Sequence, residues 1–104
     1  MKLDLWIYTY QTMNKTANWS KQRAKLKKIY EAKGITSCEL GFEGCWRDNA
    51  LSFAHRHKRY FYSTDPELLG EFEQTLLTCN SCHGQIEYDR SLTEEVFERL
   101  RGEE

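Results

Sequence analysis

The sequence predicts a small α+β domain stapled at four cysteines, with a basic helix before the core and an acidic helix after it. Three observations lead there. The cysteines fall in two pairs, Cys38 with Cys45 and Cys79 with Cys82. Apolar residues alternate in some stretches and recur at helical spacing in others. At 104 residues the chain makes one domain with a thin core. A chain of that length buries only roughly 60–65% of the surface its unfolded form exposes, so a covalent or metal staple is expected.

Each element follows in order. Leu3, Leu5 and Ile7 alternate with Trp6, Tyr8 and Tyr10, which suits a strand or extended arm over residues 1–17. From Asn18 the period turns helical: Trp19, Arg23, Leu26, Ile29 and Tyr30 share a face, while Lys21, Lys25, Lys27 and Lys28 occupy the others. Asn18 or Ser20 is the candidate cap and Gly34 the stop, giving a basic helix over 18–34. Residues 35–90 form the cysteine-bearing core. Gly41 and Gly44 punctuate its first half, and Ala50 to Phe53 reads as a strand leading into Ala54, His55, Arg56 and His57. Asp65 and Pro66 open a loop or helix, and Glu67 to Glu73 suits a short helix. Ser91 with Glu94 spells a capping box for a terminal helix over 91–104, lined by Leu92, Val96, Phe97 and Leu100.

The near-neutral net charge conceals an uneven distribution. Residues 1–63 carry 12 Lys and Arg against 5 acids, and residues 64–104 carry 3 against 11. The first part is suited to face a polyanion and the second to stay clear of it, although two ordinary solvated helices give the same count. No apolar run approaches the roughly 20 residues a membrane helix needs. Met1 to Trp6 is too polar for a secretion leader, so the expectation is a cytoplasmic protein with reduced thiols and no membrane partner.

Cys79-Asn80-Ser81-Cys82 has the C-x2-C spacing that lets two thiolates converge on one tetrahedral metal. Six residues separate Cys38 from Cys45, more than usual, but Gly41 and Gly44 let the backbone fold the excess out. Together the pairs read as one structural zinc site of Cys38, Cys45, Cys79 and Cys82. A redox pair, free structural thiols, and a site of three cysteines plus His83 are the other arrangements the spacing allows. No thioredoxin-like βαβ pattern surrounds the C-x2-C.

The chain resembles the zinc-stapled HNH endonucleases of the His-Me finger, or ββα-metal, group, found in bacteria and bacteriophages. The resemblance rests on Cys38 and Cys45, then Leu51-Ser52-Phe53-Ala54-His55, then Gln74 ahead of Cys79, then Cys82-His83, and covers about residues 18–90. It implies a small ββα-metal fold and a metal-dependent DNA endonuclease or nickase. His55 is then the general base, Gln74 stands where the family has a bracing asparagine, and His83 and Glu87 hold a catalytic Mg2+, Mn2+, Ni2+ or Zn2+. Work beside a larger packaging, repair or defence complex is a further implication. The sequence departs from the pattern at Ala54, where the family often has an acidic or histidine ligand, and at Gln74 itself.

The chemistry can be stated apart from the name. Phosphodiester hydrolysis needs a base to activate water and a cation to stabilise charge on the phosphate and the leaving oxygen. A neutral imidazole at His55, at a strand end beside the knuckle, supplies the base near pH 7. His83 and Glu87, one helical turn apart, can share one ion. His57 is a third ligand, a phosphate contact or a bystander. Arg56, Lys58 and Arg59 beside Tyr60, Phe61 and Tyr62, with Lys21, Lys25 and Lys28 on the basic helix, suit contacts to DNA backbone phosphates without base readout. Two other functions stay open: a non-catalytic zinc-stapled module that binds nucleic acid or protein, and a small redox or zinc-sensing protein.

Overall fold

The computed structural model describes residues 18–104, so the arm expected over 1–17 lies outside the described residues. The chain is α+β: helix α1 (18–32), strand β1 (Leu51–His55), strand β2 (Thr75–Cys79), helix α2 (Asn80–Glu87) and helix α3 (Arg90–Arg101). Three 3-10 turns, Arg59–Tyr62, Pro66–Gly70 and Phe72–Gln74, carry the chain from β1 to β2. Where a short helix over Glu67 to Glu73 was expected, Glu71 is extended (φ -88°, ψ 134°) and splits the stretch into two turns. No helix among the described residues is long and apolar enough to cross a membrane.

The strands pair antiparallel, from Leu51 opposite Cys79 to His55 opposite Thr75. Because side chains alternate across a strand, each cross-strand pair faces one layer. Phe53 and Leu77 look toward α1 and pack with Leu26, Tyr30, Trp19 and Phe72. Ala54 and Leu76 look the other way, onto Ile86, Val96 and Phe97 of α2 and α3. The hairpin is therefore covered on both faces, and all five residues of β2 are buried. This explains why β2 reads Thr-Leu-Leu-Thr-Cys with no polar–apolar alternation.

Helix α1 ends a little earlier than the 18–34 expected, with Gly34 taking the left-handed conformation (φ 73°) that closes it. Its buried stripe includes Gln22 where Arg23 was expected, and Arg23 is exposed. Helix α3 is capped by Asp89, whose carboxylate accepts the Leu92 N–H at 3.0 Å; the Ser91 capping box does not form, because Ser91 lies inside the helix. Val96 and Phe97 are fully buried, and Leu92 and Leu100 pack beside them, along the side the periodicity marked.

One buried polar knot joins four elements. Arg101 Nη2 donates to both Glu39 oxygens at 2.7 and 2.8 Å and to the Tyr30 hydroxyl at 3.0 Å, while its Nε donates to the Phe72 carbonyl. Tyr30 Oη lies 2.7 Å from Thr75 Oγ1. The side chains of Arg101 and Glu39 are only 4% and 11% exposed. Glu39 also covers the outer edge of β2: its backbone N–H donates to the Leu77 carbonyl and its carboxylate accepts the Leu77 N–H, at 2.8 and 2.7 Å. Removing one partner of a buried pair leaves the other charged and unpaired, so Arg101→Ala is expected to cost about 3–5 kcal/mol in urea unfolding of the metal-loaded protein. A cost below about 1 kcal/mol, the range of an exposed pair, would show that water replaces the guanidinium.

Candidate functional site

The four cysteine sulfurs all lie within 4.8 Å of one another, and none is in a disulfide. A tetrahedral ion at about 2.3 Å from each thiolate has sulfur–sulfur edges near 3.8 Å. Cys45 and Cys79 are 3.9 Å apart, far beyond a disulfide and at the length of such an edge. The donor set fits zinc or a similar thiolate-binding metal.

The local backbone explains the convergence. Gly41 and Gly44 both take positive φ, 61° and 78°, and the Cys45 N–H bonds back to the Phe42 carbonyl, so the excess residues between Cys38 and Cys45 form a tight turn. Cys79 ends β2 and Cys82 sits in the first turn of α2. Backbone N–H groups of Trp46 and Cys82 point at Cys79 Sγ (3.3 and 3.4 Å), and that of Arg47 at Cys45 Sγ (3.3 Å). Burial opposes ionisation of Cys79, but the N–H groups of Cys82 and Trp46 and the neighbouring thiols outweigh it and draw the thiol down to about 6. Burial, against the Phe42 N–H and together with the other thiols, pushes Cys82 up to about 12. A divalent ion bound among the four sulfurs would supply the positive charge that favours their thiolate forms.

A cleft opens at the other end of the hairpin. Phe53 and His55 from one face of β1 and Ala54 from the other line it, so it runs along the strand's outer edge. His83, Ile86 and Glu87 of α2 form the facing wall, and His57, Lys58, Arg59 and Arg90 the rim. His55 therefore does not sit beside the knuckle as expected: it is opposite Thr75, at the end of β1 away from Cys79.

His55 Nε2 lies 3.0 Å from the Leu69 carbonyl. A carbonyl only accepts, so Nε2 carries the proton and Nδ1 keeps its lone pair. The ring packs edge-on against Trp19 (5.1 Å between centroids) and Tyr62 (5.6 Å), and Arg59 lies over the Trp19 ring. Burial holds the imidazole below its ordinary 6.5; the Leu69 carbonyl pulls the other way, and the charges of Arg59 and His83 add to the lowering. An NMR titration of His55 is expected to give a midpoint below 6.5. Since the unfolded chain binds this proton more readily, the stability His55 contributes is complete above 6.5 and is lost as pH falls through the folded value. A midpoint at or above 6.5 would mean the ring is solvated.

His83 and Glu87 sit one turn apart on α2 and face the same cleft. His83 Nδ1 is 3.3 Å from Ser52 Oγ, which fixes the ring and leaves Nε2 as its other nitrogen. Among the described residues, however, the four cysteines are the one group of three or more His, Cys, Asp or Glu side chains close enough to share an ion, so His83, Glu87 and His57 are not assembled as a second such cluster.

The remaining candidates divide. Gln74 Oε1 accepts from Tyr62 Oη at 2.9 Å, and that hydroxyl accepts the His57 N–H at 3.1 Å. His57 stacks on Phe61, and its Nε2 contacts Glu104 at 2.6 Å. Arg56 is buried and bonded to the carbonyls of Glu73 and Gly102, so it is not an exposed phosphate contact. Lys58, Arg59, Lys21, Lys25 and Lys28 are exposed, Lys25 in a loose ion pair with Glu71. Leu69, Ser52 and Glu104 went unread. Of these only Ser52 left a signal, since strand alternation puts it on the face of Ala54, toward α2. No protein-family model, curated protein or solved structure matches this chain.

Proposed function

We propose that the protein is a metal-dependent DNA endonuclease or nickase of the ββα-metal kind, stapled by zinc at its four cysteines. The observation that carries the reading is the run β1, β2, α2 with His55, His83 and Glu87 around one cleft rimmed by Lys58 and Arg59. His55 Nδ1, unprotonated at neutral pH, takes a proton from the attacking water. The Leu69 carbonyl fixes its tautomer, and Trp19 and Tyr62 fix the ring. His83 Nε2 and Glu87 would hold a divalent ion, which supplies charge stabilisation to the phosphate and the leaving oxygen. Ala54 offers a methyl where a third protein ligand would stand, so His83 and Glu87 would be the two donors this chain supplies to that ion. Lys58 and Arg59, with the exposed lysines of α1, position the DNA through its phosphates.

A second reading, a zinc-stapled binding module without catalysis, draws on Ala54 and on the restriction of clustered metal-ligating groups to the four cysteines among the described residues. A supercoiled-plasmid assay separates the two. Zinc-loaded protein is expected to nick or linearise the plasmid with added magnesium, manganese or nickel and not with EDTA. Protein that shifts DNA on a gel but leaves it intact under every metal is the binding module.

A further inference from the structure

Behind the rim of the cleft, the adjacent residues Arg56 and His57 and the more distant Gln74 converge on one carboxylate. Glu104 Oε1 lies 2.6 Å from His57 Nε2 and 3.9 Å from Arg56 Nε, and its Oε2 accepts from Gln74 Nε2 at 2.9 Å. The Gln74 amide, against the partial burial of the carboxyl and together with His57 and Arg56, holds Glu104 below the ordinary carboxylate range, so it is an anion and His57 Nε2 donates to it.

Gln74 and His57 are set independently of that anion, and Arg56 in part through the Gly102 carbonyl of the same tail. Gln74 is fixed through Tyr62, His57 is fixed by stacking on Phe61 and by its own N–H to Tyr62, and the Arg56 side chain, 6% exposed, is anchored by the Glu73 and Gly102 carbonyls. Glu104 is held more lightly. It follows the end of α3 in irregular backbone, and its side chain is 43% exposed. His57 and Arg90 line both the cleft of His55 and the hollow that holds Glu104, whose walls also carry Arg56 and the carboxylates of Glu94, Glu98 and Glu103.

We propose that His57, Gln74 and the buried Arg56 form a phosphate subsite for the nucleic-acid backbone, and that Glu104 occupies it as an internal competitor until nucleic acid displaces it. The proposal rests on the nuclease reading for the identity of the phosphate and on the geometry for the cradle. Two convergent N–H donors backed by a buried guanidinium take a tetrahedral phosphate oxygen pair as they take a carboxylate. A competitor that fills the subsite nine-tenths of the time lowers apparent affinity about tenfold.

The test compares zinc-loaded full chains by fluorescence anisotropy on a short labelled duplex at fixed salt. Glu104→Ala is expected to bind about tenfold tighter than wild type. Glu103→Ala removes the same charge from a neighbouring position and is expected to change little, and Glu104→Ala with His57→Phe, which keeps the stack but removes the donor, is expected to lose the gain. A Glu104→Ala protein no tighter than wild type, an equal gain from Glu103→Ala, or a gain that survives His57→Phe overturns the proposal. If no variant binds DNA, the nuclease reading falls, and the cradle is decided by titrating inorganic phosphate into Glu104→Ala. Movement of the Gln74 side-chain amide resonances supports it, and their immobility overturns it.

Discussion

Cys79→Ser is expected to cost the domain its fold. Cys79 closes β2, pairs with Leu51, accepts the N–H of the first turn of α2, and is fully buried in the larger core. Structural zinc binds small thiolate sites with an apparent free energy of roughly 10–16 kcal/mol, comparable to or larger than the 5–15 kcal/mol that holds a typical domain. Losing a quarter of the ligand set therefore removes more than the core of residues 18–104 can replace. Mass spectrometry should find one zinc in the wild type and substoichiometric metal in the variant, whose circular dichroism should lack a cooperative thermal transition. A zinc-free variant that still melts cooperatively would show that the hydrophobic layers suffice, and that the cysteines serve some other purpose.

His55→Ala is expected to do the reverse: lose cleavage and keep the fold. A positioned general base contributes about 10²–10⁴-fold to rate, and the plasmid assay should register a loss of that order. The ring is half-buried against Trp19 and Tyr62 but belongs to neither core cluster. Truncation should thus lower the melting temperature modestly and leave zinc content unchanged. The contrast between the two variants carries the information, because a nuclease has separable staple and base. Equal nicking by His55→Ala and wild type would refute the assignment of the base.

Much of the scaffold was legible because it depends on local chemistry. Cysteine pairs, positive-φ glycines and the apolar stripe of α3 each act within a few residues, so spacing alone shows them. The departures arise where distant groups decide. Asp89 takes the cap because it precedes Arg90 with its carboxylate already aimed at Leu92 N–H, leaving Ser91 to the helix interior. Gln22 displaces Arg23 from the buried stripe because Gly70, with no side chain, leaves room for it: a Cβ on Gly70 would collide with Gln22 Oε1. Arg56 looked like an exposed phosphate contact by composition, yet carbonyls 17 and 46 residues away bury and anchor both its Nη atoms, so its charge acts from behind the surface. The cleft itself was half visible. His55, His83 and Glu87 could be named from their positions, but the Leu69 carbonyl that sets the tautomer belongs to a 3-10 turn with no side-chain signature.

Glu39 gives the metal a second consequence. It follows directly on Cys38, and its main chain and carboxylate together occupy the outer edge of β2 at Leu77. Loss of an ion held there would free Cys38 and leave the Arg101 pair as the main tether on the group that blocks that edge. What is then uncovered is a short apolar strand with unpaired N–H and C=O groups, a template for strand addition from another chain. Demetallation should therefore drive the protein toward intermolecular aggregates rather than dispersed unfolded monomers.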